Sequence, residues 1–272
     1  MGMGIRTVAA KVTNPGATFT AATATAGDSL TVENYTPGSQ AFLAEIIREG
    51  ATAGAVRVLS PNTHDNTRGI TFNTDLAVTR MLMAAGKGEP VVRSDQLTVE
   101  LTGGTNESDL ALLTFFYQDA PGYQQTLKQW ADISGVIDHI KPITVTVPSG
   151  GAADTWLDTN ISATEGASGT SGLLKADRWY AVLGFTTDTQ TGGIGITGTD
   201  TSNRRIAGPG TDFTEDTAWY FKQQADYHGL PWIPLFNSGN AGNTSVSVIG
   251  NAVDTGANIQ LVCALLAPTF TP

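Results

Sequence analysis

GITFNTDLAVTRMLMAAGKGEP (residues 69–90) and GTDFTEDTAWYFKQQADYHGLP (residues 210–231) are the two stretches whose reading decides the fold. They align without a gap at an offset of 141. Seven of the 22 positions are identical: Gly69/Gly210, Phe72/Phe213, Asp75/Asp216, Ala77/Ala218, Ala84/Ala225, Gly88/Gly229 and Pro90/Pro231. The shared residues are punctuation as much as core: two glycines that bound a segment, an acid near a helix start, and a proline that opens the next element. Repetition at this spacing turns a chain of 272 residues into two similar modules of about half that length.

Within the first copy, Asn73, Thr74 or Asp75 supplies a side-chain oxygen for the free amides of a helix start. Leu76, Val78, Met81, Leu82 and Ala85 then form a helical apolar stripe, and Gly86 or Gly88 ends it. The pattern predicts a helix over Asp75–Gly86 and an equivalent one over Asp216–Gly229, the first stripe packing against a sheet. Working outward, β-type segments precede the first helix at 5–12, 30–35, 41–47, 55–59 and 70–72, and follow it at 91–93, 96–102 and 110–118. QLTVELT (96–102) alternates most cleanly, with Leu97, Val99 and Leu101 on one face. AFLAEII (41–47) is apolar on both faces and belongs at the centre of a sheet.

The second module repeats the order. ITVTV (143–147), RWYAVLGF (178–185), GIGIT (193–197), PWIPLF (231–236), TSVSVIG (244–250) and NIQLVCALLAP (258–268) match strands of the first. The Gly/Ser/Ala/Thr stretch 149–172 reads as an exposed loop, and TDTSNRRIAGPG (199–210) as the counterpart of the polar loop 60–69. Between the modules, Leu127, Trp130, Ile133 or Ser134, and Ile137 recur at helical spacing between prolines. The division is therefore 1–120, a connector 121–142 with a short helix, and 143–272. Eight strands with regular turns in a module fit a sandwich or barrel.

Composition narrows the function classes. Charged residues make up 15% of the chain, well below the roughly 25% of an average globular protein, so much of the surface is Thr, Ser, Asn, Gly and Ala. Either that surface is buried against neighbouring subunits, or the chain is a secreted β-protein with a threonine-rich face. A net charge of −10 argues against sequence-independent nucleic-acid binding, and Arg204-Arg205 is an isolated basic pair suited to a loop. Cys263 stands alone in an apolar run and reads as a small core residue. MGMGIRTV has no signal-peptide core, and no stretch reaches the ~20 apolar residues of a spanning helix.

Enzymatic motifs are absent from the sequence. His64, His139 and His228 form no metal-binding spacing, and none lies in an expected strand, which argues against tandem β-barrels that carry metal on barrel strands. There is no nucleophile elbow, phosphate loop or dinucleotide fingerprint. Asn62/Asp65 and Asp200/Asn203 recur in both modules; they can stabilise turns or offer oxygen ligands to a structural Ca2+. Trp219, Tyr220, Phe221, Tyr227, Trp232 and Phe236 cluster in the second helix and the next strand, as in a core, an oligomer interface or a sugar-binding platform. Asn34, Asn106, Asn160 and Asn243 fall in N-x-Ser/Thr sequons, which a Thr/Ser-rich chain contains by chance. No catalytic, cofactor-binding or metal residue is assigned.

Two eight-stranded modules with a helix between the fifth and sixth strands resemble the double jelly-roll major capsid proteins of tailless icosahedral viruses, a fold shared by corticovirus and tectivirus bacteriophages and adenovirus. In that family each roll runs from strand B to strand I, with a flanking helix after F. Gly69–Phe72 would be F, Asp75–Gly86 the helix and Val91–Arg93 G, with the same in the second module. The resemblance is architectural and spans nearly the whole chain. It implies an all-β protein of two tandem eight-stranded jelly rolls that is not an enzyme. It also implies homotrimers of pseudo-hexagonal outline that tile a shell, with an obligate interface above about 2,000 Å². The implied partners are neighbouring trimers and minor capsid or vertex proteins, with any internal membrane reached through other proteins and no direct nucleic acid. The implied location is the virion, after synthesis in the host cytoplasm. The rival readings are another virion β-sandwich component (tail, decoration or spike) and a two-domain glycan-binding lectin or adhesin resting on Trp219 or Trp232.

Overall fold

The structure, a computed structural model, describes residues 2–73, 78–81, 88–149, 152, 154–161, 174–187, 191–210, 217–250 and 258–272. It is mostly β-sheet in four antiparallel sheets, in agreement with the expected all-β class. The N-terminal half contains β1 (Gly4–Thr13), β2 (Thr20–Ala21), β3 (Thr23–Ala24), β4 (Ala41–Glu49), β5 (Val56–Leu59), β6 (Ile70–Phe72), β7 (Val78–Arg80), β8 (Glu89–Val91), β9 (Thr98–Leu101) and β10 (Ser108–Tyr117). A connector carries β11 (Leu127–Lys128) and helix α1 (Trp130–Ile133). The C-terminal half contains β12 (Ile137–Thr146), β13 (Leu157–Asn160), β14 (Trp179–Thr187), β15 (Gly193–Gly198), β16 (Ile206–Pro209), helix α2 (Tyr220–His228), β17 (Ile233–Asn237), β18 (Thr244–Ile249) and β19 (Asn258–Leu266).

In the N-terminal half one sheet has the order β3-β1-β10-β4-β7, with β8 also on β4, and the other β2-β9-β5-β6. Their inner faces share a core of Val8, Ala10, Leu43, Ile46, Ala111 and Leu113 against Val56, Val58, Val99 and Leu101. The C-terminal half has the orders β11-β17-β14-β19-β12 and β13-β18-β15-β16. There Ile143, Val145, Val182 and Leu261 pack with Ile194, Ile196, Ile206, Val246 and Val248. Strand alternation explains both cores, because residues two apart share a face.

β4 is buried along all nine residues, as its two-sided apolar sequence requires. One face fills the N-terminal core. The other, with Phe42, Ala44 and Ile47, joins Ile5 and Ala9 of β1 and Leu110, Leu112 and Phe116 of β10 in packing against the C-terminal half. The two halves therefore share an apolar junction made of two clusters.

Several expectations are corrected. The first helix, Asp75–Gly86, is not formed at its described residues: Val78, Thr79 and Arg80 pair with Ile47, Ile46 and Glu45, and residues 74–77 and 82–87 lie outside the described set. Tertiary pairing overrides the helical stripe, since the open edge of β4 offers β-branched Val78 and Thr79 a ladder. β7 and β8 continue one another along that edge, Glu89, Pro90 and Val91 meeting Leu43, Phe42 and Ala41. The strand expected at 91–93 thus ends at Val91. The 30–35 segment makes only a bridge, Thr31 to Gln96.

In the C-terminal half, Ile206–Pro209 is a buried strand and not polar loop, and Leu157–Asn160 is a strand inside the stretch read as a loop. β12 starts at Ile137, six residues before the expected opening strand and inside the stretch read as connector. The 22-residue repeat is therefore not a structural register. Gly69 precedes β6, whereas Gly210 follows β16. The second helix does form, shorter than expected, as α2. Gly229 ends it at φ 65° with its amide on the Ala225 carbonyl, while Asp216 lies outside the described residues.

Candidate functional site

Among the described residues, a buried polar cluster lies at the junction between the halves. Glu45 on β4 is fully buried and faces α2. Its carboxylate accepts hydrogen bonds from the Tyr220 hydroxyl and the Gln224 amide. Arg80 Nε donates to Gln224 Oε1 at 2.9 Å and lies 3.8 Å from Glu45 Oε1. A buried carboxylate needs such donors, because desolvation alone costs several kcal/mol. Burial, with Glu45 beside it, holds the Tyr220 hydroxyl well above its usual range, so it remains a donor.

Next to this cluster an aromatic stack crosses the junction. Phe116 of β10 stacks on Trp232 at 6.3 Å, and Trp232 stacks on His228 at 4.8 Å. His228 is 1% exposed, and burial, with Arg80 nearby, pushes its imidazole down to about 4. It is therefore a neutral ring at pH 7.

The edge of β1 is sealed residue by residue. The Ile5 amide donates to Gln125 Oε1 at 2.6 Å, the Thr7 amide to the Arg205 carbonyl at 2.8 Å, and the Ala9 amide to Asp28 Oδ2 at 2.8 Å. Thr7 Oγ1 also accepts from the Ala207 amide at 3.0 Å. Above this seam lies a polar cleft of about 330 Å³ lined by Arg6, Asp28, Glu33, Arg204 and Arg205. Its arginines are paired: Arg6 to Glu33 at 2.7 Å, Arg204 to Glu33 at 3.2 Å, and Arg205 to Asp158 at 3.2 Å. Arg204-Arg205 is thus not an isolated basic pair but part of the junction.

A second surface feature is an apolar groove of about 520 Å³ between α1, α2 and β12, lined by Trp130, Ile137, Ile140, Trp219, Lys222 and Gln223. Lys222 Nζ sits 5.0 Å from the Trp130 ring centre. Trp232 is fully buried and cannot offer a face to a sugar, whereas half-buried Trp219 lines the groove.

The remaining sequence candidates fall as follows. His64 is buried, with Nε2 2.9 Å from Glu89 Oε1. His139 lies in β12, exposed on a strand where the sequence pattern gives connector. Cys263 is buried in β19. Asp65 accepts the Thr67 and Arg68 amides at 2.8 Å, and these bonds lower its carboxyl below the usual range. Asn62 Nδ2 donates to Asp95 at 2.9 Å. Asp200 takes the Asn237 amide at 2.9 Å and the Asn240 side chain at 3.2 Å. Asn203 adopts φ 54° in the turn before β16. Asp65 and Asn203 therefore build their own turns, whereas Asn62 and Asp200 tie their loops to Asp95 and to Asn237 and Asn240. Among the described residues no cluster of three or more His, Cys, Asp or Glu could hold a metal ion.

Sequence reasoning missed Glu45, Arg80 and Thr7. The only signal was a charge inside an otherwise apolar central strand, AFLAEII. No protein-family model matches the sequence, and no curated protein matches it.

Proposed function

We propose that the chain is a virion structural protein: a major capsid protein of two tandem jelly rolls whose trimers tile an icosahedral shell. Strand order carries the reading. With the main strands of each half lettered B to I in chain order, the first half runs β1, β2, β4, β5, β6, β7 with β8, β9, β10, and the second runs β12 to β19 without interruption. The sheet orders then become B-I-D-G and C-H-E-F in both halves. That pairing is the one a jelly roll's double Greek key requires, and it supports the reading. The chain has 272 residues and 15% charge, which suits a compact shell subunit with extensive subunit contacts.

The flanking helix supports the reading in one half only. α2 lies between F and G of the second half, while the corresponding segment of the first contributes to strand G. Strand order therefore replaces the repeated helix as the main support. On this reading the partners are other copies of the chain and minor capsid or vertex proteins. The protein is made in the host cytoplasm and resides in the virion.

The test is the mass of the purified protein in solution, followed by electron microscopy of its assemblies. A stable trimer that forms closed shells is the expected result. A monomer at micromolar concentration overturns the proposal. A defined oligomer found only on the outside of particles would assign the chain to decoration instead.

A further inference from the structure

We infer that the outer face and outer edge of β12 dock a second copy of this chain, which presents the β6 side of its N-terminal half. The inference rests on the self-assembly part of the reading above and adds the surface and its partner.

The intrachain junction is a contact between unlike surfaces. One side is the outer face of β1, β10 and β4; the other is β16 with α2. An interface of this head-to-tail kind leaves one unused surface of each type at the two ends of the pair, and repetition between copies closes a ring or extends a filament. The unused surfaces are the outer face of β12 with the adjoining end of β19 in the C-terminal half, beyond the Thr217–Trp219 turn that packs on β14 at Gly184, and the β6 side of the N-terminal half.

Both have the character of uncovered contacts. On the C-terminal sheet, Pro142 pairs with Val262, and Thr144 with Gln260, which in turn pairs with Thr186. Pro142, Thr144, Gln260 and Thr186 are exposed and Val262 is half-buried. None of these side chains is charged, in a chain of net charge −10. Depletion of charge marks the centre of a protein interface. In the N-terminal half the corresponding face, with Thr7, Ala9, Leu112 and Thr114, is covered by the C-terminal half.

The strand edges show the same asymmetry. β1 has its outward amides at Ile5, Thr7 and Ala9 satisfied across the junction or by Asp28, and β3 covers Ala10 and Lys11. β12, its counterpart, ends its sheet over ten residues with no strand beyond it among those described. A long edge of this kind is a template for another chain. In the N-terminal half, β6 terminates its sheet as β16 does in the C-terminal half. Ile206 and Ala207 of β16 are buried, whereas Ile70 and Thr71 of β6 are exposed. Of the large exposed apolar side chains among the described residues, only Ile70 at 39% and Ile140 at 45% lie in strands, one on each of the two surfaces.

The test compares the wild-type chain with a Thr144→Arg/Gln260→Arg variant by light scattering after gel filtration. Both positions are exposed, so circular dichroism should be unchanged. The expected result is a wild-type trimer and a monomeric variant. A variant that remains trimeric overturns this surface and leaves self-assembly standing; a monomeric wild type overturns both. Independently, Thr71→Cys/Thr144→Cys protein treated with a short bis-maleimide should give covalently linked dimers and trimers, since the native Cys263 is buried. Linked species confirm the head-to-tail pairing, and their absence from a trimeric sample overturns it.

Discussion

His228 carries a pH signature that its surroundings explain. Its ring is buried between Trp232 and Tyr227, with the Arg80 charge nearby, and neither ring nitrogen has a hydrogen-bond partner among the described residues. Its pKa falls from 6.5 to about 4 on folding, so the unfolded chain binds the proton more readily. Its contribution to stability is therefore complete above pH 6.5 and is lost as pH falls towards 4, by at most about 3 kcal/mol. Asp109 acts in the opposite sense. Burial outweighs Arg48 and raises its carboxyl to about 6, so its contribution is complete below about 4 and is lost as pH rises through 6. Urea unfolding of wild type and His228→Phe between pH 7 and 4.5 separates the two. The variant should keep the stacking on Trp232 and gain on the wild type as pH falls; parallel pH profiles would refute the assignment. Glu45→Ala makes a second residue-scale test. It leaves the Tyr220 hydroxyl without its acceptor and the Gln224 amide with the Tyr220 oxygen alone, and should cost about 3 kcal/mol in the same assay at pH 7.

At the scale of elements, α2 depends on how it ends. Gly229 is left-handed at φ 65°, and a Cβ there would meet nothing within 4 Å. Gly229→Ala should therefore cost only the backbone preference, about 1 kcal/mol. Gly208 differs: a Cβ would lie 2.2 Å from the Tyr220 ring. Gly208→Ala should push Tyr220 off Glu45 and lower the thermal midpoint more than Gly229→Ala does; equal losses would contradict this packing. Legibility in the sequence follows the same local physics. β9 and β18 alternate and are readable, and Gly229 marks the end of α2. β16 is not readable, because Ile206-Ala207-Gly208-Pro209 combines turn residues with burial that only the junction supplies. The start of β12, Asp138-His139-Ile140-Lys141, lacks alternation because a bulge falls between Ile137 and His139 and those residues are not core. The stripe at Leu76–Ala85 is a real apolar pattern, but Val78–Arg80 find a strand edge to pair with. Of the junction, the aromatic cluster is visible, while the residues opposite it are not, because nothing in a linear pattern says which of two buried strand faces meets another module.

At the scale of the whole molecule, the junction decides whether the halves behave as independent domains. The face that the N-terminal half turns to its neighbour carries Ile5, Phe42, Ile47, Leu110, Leu112 and Phe116, all 4% exposed or less. At about 25 cal/mol per Å² of apolar area, burying large side chains of this kind contributes roughly 1.5–3 kcal/mol each, so together they are comparable to the whole net stability of a small domain. The hydrogen bonds of Thr7 with Arg205 and Ala207 and the Glu45 cluster add directional contacts that a greasy patch alone would lack. The halves should therefore unfold together. Calorimetry at neutral pH is expected to give one transition whose van't Hoff and calorimetric enthalpies agree. A fragment comprising residues 1–120 should be poorly soluble, because it exposes that face. Two resolved transitions, or a soluble and stable 1–120 fragment, would show that the junction is a loose contact between autonomous domains. Because Trp232 lies inside the junction and stacks on Phe116, its fluorescence should report the same single transition as far-ultraviolet circular dichroism. An earlier fluorescence change would place the opening of the junction ahead of the melting of the sheets.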